Sequence, residues 1–283
     1  MGVLNVTPDS FSDGGRHLEP DAALAHGLAL VGEGADVVDV GGESTRPGAT
    51  PVPEDEELRR VVPVVGALAP HVRVSVDTTK PAVAAAAVAA GATLLNDVSG
   101  TLWPVAAELG VGWVAMHMRG TPATMQDDPR YDDVVAEVHG FLRDRAARAR
   151  AAGVGEIWVD PGIGFGKTDE HNLTLLRHLP DLVALGYPVL VGTSRKGFLG
   201  RLAPGPDGEP APLAERLPGS IATATWAMLA GASMVRVHDV AATVQAAVLV
   251  GDGPEVGATG SRTTGWRDGE TVSAPGEVMK GRA

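Results

Sequence analysis

Acid, amide and base side chains recur at one kind of place in this chain, directly after a short apolar run. In order they are Asn5 with Asp9 and Asp13; Gly41, Gly42, Glu43, Ser44, Thr45 and Arg46; Asp77; Asn96 with Asp97; His117; Asp160; Ser194, Arg195 and Lys196; and Arg236 with His238. Asp and Asn side chains converging on one cleft suit a heterocycle rich in hydrogen-bond donors and acceptors. Arg236 and His238, placed just before a helix start, suit a phosphate.

Each residue also has a plainer reading. Asp77 precedes Thr78, Thr79 and Pro81, where it could cap the next helix. Asn96-Asp97 and Asp160-Pro161-Gly162 have turn composition, His238-Asp239 could cap the last helix, and Lys196 could be an ordinary exposed lysine. What favours a common site is coincidence, because independent caps need not place carboxylates, amides and cations at the ends of successive apolar runs. Other motifs fail. Gly166-Lys167-Thr168 ends like a P-loop, but Pro161 stands where that motif needs its first Gly. Gly162, Gly164 and Gly166 miss the dinucleotide spacing. Ser194 lacks the second Gly of a nucleophile elbow, and no His-Glu-x-x-His helix occurs.

The elements that must position these residues are short β-branched runs alternating with Ala-rich helical stretches. Strands are predicted at 2–6, 36–40, 72–76, 93–96, 113–116, 157–160, 189–191 and 234–237, apolar throughout as strands buried on both faces should be. Helices lie between them, as at 82–90, where Pro81 suits a first turn and Gly91 an end. The arginines of 134–152 read as a solvated outer face. The polar strand ends recur about every 33 residues, close to the roughly 30 of one βα unit. Eight such units predict a single (β/α)8 barrel, an α/β fold whose active site is built by the loops after the strands. Residues 202–212 are too rich in Pro and Gly for helix or strand and read as an exposed loop inserted after strand seven. The barrel domain is predicted over 1–254, and 255–283 reads as a disordered tail.

With 44% hydrophobic and 20% charged residues over 283 positions, the chain can fill a large core, and no apolar run approaches the length of a membrane span. The net charge of −12, from 23 Lys+Arg and 35 Asp+Glu, opposes nucleic acid and anionic membrane surfaces as partners. Cys is absent, which excludes disulfides, thiolate nucleophiles and cysteine-bound metal. The start, MGVLNVTPDSFSDGG, has neither a basic nor an apolar leader region, so the cytoplasm is the expected compartment.

The segments MGVLNVTPDSFSDGG, DVVDVGGESTRPGA, VSVDTTKP, LLNDVSG, WVAMHMRGTP, WVDPGIGFGKT, LVGTSRKGFLG and MVRVHDV resemble the dihydropteroate synthase family in order and spacing, over about residues 1–250. The resemblance implies condensation of 6-hydroxymethyl-7,8-dihydropterin pyrophosphate with p-aminobenzoate, giving 7,8-dihydropteroate and pyrophosphate for folate synthesis. It implies that Asp77, Asn96, Asp160 and Lys196 contact the pterin ring, with Met118 and Phe165 as apolar walls. It assigns Asn5, Thr45, Arg236 and His238 to pyrophosphate, Asn5 also to Mg²⁺, and Phe11, Arg46, Pro47 and Gly197 to the p-aminobenzoate pocket. A homodimer and a target for sulfonamides are implied in the same way. Two departures stand out. Members often have Ser where Gly197 stands, near the p-aminobenzoate carboxylate, and they usually carry a further segment before the first strand.

The implied mechanism follows from charge. Pyrophosphate leaves a methylene conjugated to the pterin, so Arg236, His238 and Mg²⁺ would offset the growing negative charge and Asp77 and Asp160 the positive charge. Loop closure through Phe11 and Arg46 would exclude competing water. A methyl-folate:corrinoid methyltransferase-like barrel and a non-catalytic pterin-binding homologue are the alternatives. The first would leave the SRK lysine and the Arg-Val-His anion site without use, and the second would not need intact loops.

Overall fold

The computed structural model describes residues 1–7, 20–46 and 48–250. Phe11 and Pro47, the pair Asp9 and Asp13, and the tail with its boundary at 254 lie outside the described residues. Among the described residues eight parallel strands occur in chain order: β1 (Gly2–Asn5), β2 (Val37–Gly41), β3 (Arg73–Asp77), β4 (Leu94–Asp97), β5 (Gly112–Met116), β6 (Ile157–Asp160), β7 (Leu190–Val191) and β8 (Met234–Val235). Each lies within two residues of its predicted span. The first six form one continuous sheet and the last two pair with each other. Hydrogen bonds join the two pieces on both sides. Val159 N–H donates to the Pro188 carbonyl at 3.0 Å, and Val3 N–H to the Val237 carbonyl at 3.0 Å, with Val237 N–H returning to Met1 at 2.9 Å. The ring of eight strands is thus closed, as the repeat spacing predicts.

Side chains alternate along a strand, so every second residue faces the barrel interior. Met1, Val37, Leu94, Val114 and Leu190, with Trp158 and Met234 against them, pack as an inner apolar plug. Two positions further along the same strands stand Asp39, Asn96, Met116, Asp160, Gly192 and Arg236. One step of the pleat therefore takes the interior from apolar floor to polar mouth. The other strand faces, including Leu4, Val38, Val40, Val76, Leu95 and Val159, pack beneath the outer helices in the main core.

The helices are α1 (Pro20–Gly32), α2 (Glu54–Leu68), α3 (Pro81–Ala89), α4 (Trp103–Leu109), α5 (Val134–Ala151), α6 (Asp169–Arg177), α7 (Leu179–Val183), α8 (Gly197–Leu202), α9 (Leu217–Leu229) and α10 (Val240–Val250). Pro81 opens α3, where its missing N–H costs nothing. Asp133 caps α5 by accepting from the Val135 and Ala136 N–H groups at 3.0 Å each. Arg143, Arg148 and Arg150 on α5 are exposed, in keeping with a solvated outer face. One detail differs from expectation. The loop predicted over 202–212 does not directly follow strand seven, because α8 intervenes and Leu202 is its last residue; buried Phe198 and Leu199 dock this short helix on the core. No helix among the described residues is long and apolar enough to cross a membrane.

Candidate active site

The C-terminal ends of the strands bring the predicted polar residues into one mouth. Asp77 ends β3 in register with Gly41 and Asn96, and Asp160 ends β6 in register with Met116. Asp77 does not cap α3, whose N-cap residue is Lys80. Its Oδ2 accepts from Arg236 Nη2 at 2.9 Å, and its Oδ1 has no partner among the described residues. Arg236 also donates from Nε to Asp39 Oδ2 at 2.6 Å, and Asn96 Nδ2 donates to the same oxygen at 2.8 Å. Burial raises the Asp77 carboxyl above the ordinary carboxylate range, and the Arg236 guanidinium pulls it back. Neighbouring Asp97 is different. Its oxygens accept from Ser99, from the Thr101 and Leu102 N–H groups and from Trp113 Nε1, so it builds the turn into α4. Of the pair Asn96-Asp97, one residue faces the mouth and the other is turn chemistry.

Asp160 serves both readings at once. Its Oδ1 accepts from Gly162 N–H at 2.7 Å, and burial raises its carboxyl while the Lys196 ammonium lowers it. Gly162 has φ +65°, and a Cβ there would lie 1.9 Å from the His117 carbonyl oxygen, so no side chain fits. Lys196 is no ordinary surface lysine. Its Nζ donates to the Ile163 carbonyl and sits 4.6 Å from the centroid of the Phe165 ring. Burial pushes it down to about 8, with Asp160 holding it up. Arg195, just before it, has φ +58°, uncommon for a residue with a side chain. The conformation is held by Arg195 N–H donating to Ser220 Oγ at 2.9 Å and by the Arg195 fork on Asp239, with Nε to Oδ2 at 2.9 Å. This turn aims Lys196 inward.

Lys167 is fully buried, 1% exposed, beneath the loop that carries Phe165. Its Nζ donates to the carbonyls of His117 at 3.2 Å and Phe165 at 3.0 Å and lies 3.0 Å from His117 Nδ1. Two protonated groups cannot share that contact. Burial pushes His117 down to about 3, and the Lys167 charge adds to this, so the neutral imidazole is the acceptor. Burial likewise pushes Lys167 down to about 7. The lysine of the failed P-loop match thus staples the loop after β5, with half-buried Met118, to the loop after β6, with half-buried Phe165.

The anion side is less complete. His238 Nδ1 meets Ser194 Oγ at 3.0 Å, leaving Nε2, and burial together with Arg236 and Arg195 pushes the ring down to about 4. Asp239 spends its carboxylate on Arg195 rather than on a helix cap. Asn5 ends β1 beside Gly41. Thr45 is half-buried and Arg46 exposed, on a loop whose base is clamped by Lys80 donating to both Glu43 and Glu57 and by Gly48 N–H donating to the Pro122 carbonyl at 3.1 Å. A Cβ at Gly197 would lie 3.1 Å from Arg201 Nη1, the end of a side chain held by Asp169. No group of three or more His, Asp or Glu side chains that could cage a metal occurs among the described residues.

Sequence reasoning missed Asp39 and the role of Lys167. Asp39 had a signal, a carboxylate between Val38 and Val40 in the middle of a buried strand. For Lys167 nothing in the sequence separates a staple from a surface lysine.

The pterin binding enzyme family matches residues 1–238. The dihydropteroate synthase of Mycobacterium leprae (strain TN) is 52% identical over 260 residues, covering 89% of this chain and 92% of that one. That of Escherichia coli (strain K12) is 46% identical over 259 residues, covering 88% and 89%. Among solved structures, Xanthomonas albilineans dihydropteroate synthase in complex with 7,8-dihydropteroate superposes with a TM-score of 0.78 at 47% identity, covering 88% of this chain and 90% of that one. The Yersinia pestis dihydropteroate synthase with a sulfonamide drug complex gives 0.82 at 46%, covering 88% and 92%. By sequence match and barrel alike, the chain belongs to the pterin binding enzyme family, among the dihydropteroate synthases.

Proposed function

We propose that this protein joins 6-hydroxymethyl-7,8-dihydropterin pyrophosphate to p-aminobenzoate, forming 7,8-dihydropteroate and releasing pyrophosphate. The observation that carries the reading is the pairing, in one barrel mouth, of buried acceptors with two half-buried cations: Asp77, Asn96 and Asp160 with Lys196 and Arg236. A flat ring bearing donors on one edge and acceptors on the other fits the first set, and an anionic leaving group fits Arg236. In this reading Met118 and Phe165 sandwich the ring. Asp77 and Asp160 face the positive charge that develops on it as the carbon–oxygen bond to pyrophosphate breaks. Arg236 offers Nη1 to the leaving group. His238, neutral near pH 7, offers a ring N–H rather than a charge. The amine of p-aminobenzoate then attacks the freed methylene carbon and loses a proton, in a pocket completed by Phe11, Arg46, Pro47 and Gly197.

Asn5 and Thr45 complete the anion site. Asn5 offers an amide oxygen there, a hard donor of the kind Mg²⁺ takes beside its own waters and substrate phosphates. Held by Asn5, Mg²⁺ would neutralise charge on the leaving pyrophosphate. A homodimer, cytoplasmic location and sulfonamide sensitivity belong to the same proposal, supported by family membership and by the sulfonamide complex of the Yersinia relative. So does the division into a barrel over 1–254 and a tail over 255–283. The test is to incubate purified protein with the pterin pyrophosphate, p-aminobenzoate and Mg²⁺ and to look for dihydropteroate. Folded full-length protein that forms none, yet binds pterin, would be a binding homologue instead.

A further inference from the structure

One interior carboxylate has no part in the reaction as read above. Asp39 lies in mid-strand on β2, in register with Val3 and Ser75 and two residues before the strand's end at Gly41, and is 0% exposed. Val37, one pleat lower, shows that an apolar side chain fits this wall of the barrel. An ionised carboxylate so deep is costly unless its partners compensate. Its partners are informative. Oδ2 accepts from both Asn96 Nδ2, at 2.8 Å, and Arg236 Nε, at 2.6 Å, while Oδ1 has no partner among the described residues.

The two donors belong to different halves of the site. Asn96 is on the ring side and Arg236 on the anion side. An Asn amide can turn either end toward a ligand, but a carboxylate only accepts, so Asp39 holds Nδ2 and leaves the amide oxygen for the mouth. Arg236, with Nε on Asp39 and Nη2 on Asp77, is likewise fixed in plane and keeps Nη1. We propose that Asp39 is a positioning residue that sets the Asn96 amide and the Arg236 fork through one shared oxygen, so that the pterin and pyrophosphate halves of the substrate are read by a single connected network. Because two donors draw on one oxygen, an anion that attracts Arg236 changes what Asp39 offers Asn96, and the converse holds equally. The proposal rests on the functional reading above for which half each residue serves.

The test uses the full chain and two probes, 6-hydroxymethylpterin and inorganic diphosphate with Mg²⁺, titrated by calorimetry. Asp39→Asn keeps the volume and one acceptor oxygen but removes the negative charge, so both hydrogen bonds on the shared oxygen lose their charge assistance. Both probes should bind about tenfold or more weakly to Asp39→Asn. Added to Asn96→Ala, the change should cost the pterin less than about threefold further, and added to Arg236→Lys it should cost diphosphate equally little, as residues acting through one another behave. A merely structural role predicts a lowered melting temperature and losses that multiply in full. Such multiplied losses, or weakening of one probe only, would overturn the proposal. Should Asp39→Asn not fold, the unaltered chain provides a second readout. The side-chain amide NMR signal of Asn96, identified by its absence in Asn96→Ala, should shift on adding diphosphate, and an unmoved signal would overturn the proposal. Failure of the reaction assignment is read separately, in the turnover assay.

Discussion

Lys196 enters the mouth with its ammonium group pushed down by burial to about 8, so its charge is lost within an accessible pH range. A lysine is charged below its pKa. The charge-assisted hydrogen bond it would give a ring acceptor is therefore available at pH 7 and fades as pH rises past about 8. Lys196→Arg stays charged throughout. The affinity ratio of parent to Lys196→Arg for 6-hydroxymethylpterin, in which the ligand's own titration cancels, should fall between pH 7 and 9.5; a constant ratio would remove Lys196 from ring recognition. Asp77→Asn should lower turnover about a hundredfold, the scale of one lost electrostatic contact, in a steady-state assay. Its melting temperature should change little, because Asp77 caps no helix and Asp39 still faces Arg236. The mouth residues are legible in the sequence because a polar residue ending an apolar run has few structural reasons to be there. Asp39 is harder to read, since only the pleat, and not the run itself, says that it points at its partners.

At the scale of the element, the turn after β6 is the place where backbone and site are one. Gly162→Ala would meet the His117 carbonyl, the same oxygen that Lys167 holds, whereas a Cβ at Gly153, with φ +94°, would meet nothing within 4 Å. Gly153→Ala should thus cost only the roughly 1 kcal/mol of a strained dihedral, and Gly162→Ala clearly more, with weaker pterin binding as the Met118 and Phe165 walls part. Urea denaturation of both variants checks this, and equal costs would refute it. Strand positions could be read from sequence because barrel strands, buried on both faces, are unbroken β-branched runs between Gly and polar ends. The short helix α8 could not. Six residues carry too little period to distinguish a helix from the start of the Pro- and Gly-rich loop that follows.

Over the whole molecule, His117 and His238 hold pKa values of about 3 and about 4, far below the roughly 6.5 of an unfolded histidine. The unfolded chain therefore binds protons that the native one refuses, and these two residues make stability fall as pH drops from about 6.5 toward about 3 to 4. The raised Asp77 and Asp160 carboxyls act with the opposite sign, so the histidine share is read as a difference. His117→Gln, which keeps an acceptor for Lys167, should lose stability less steeply than the parent between pH 6.5 and 4.5 in denaturant titrations; parallel curves would exclude His117 as an acid-sensitive group. The closure of the ring has a consequence of another kind. Six strands share one continuous ladder, but β7 and β8 are two residues each and are tied to the rest by a few bonds at either seam. The loops on this thin quarter hold Lys196 and Arg236, while Asn96, Asp77 and Asp160 sit on the thick part. Brief opening of the seam would separate cations from carboxylates long before the protein unfolds, so the amide protons of Val191, Arg236 and Val237 should exchange with deuterium sooner than those of β2 to β5, and a ligand bridging both parts should slow them most.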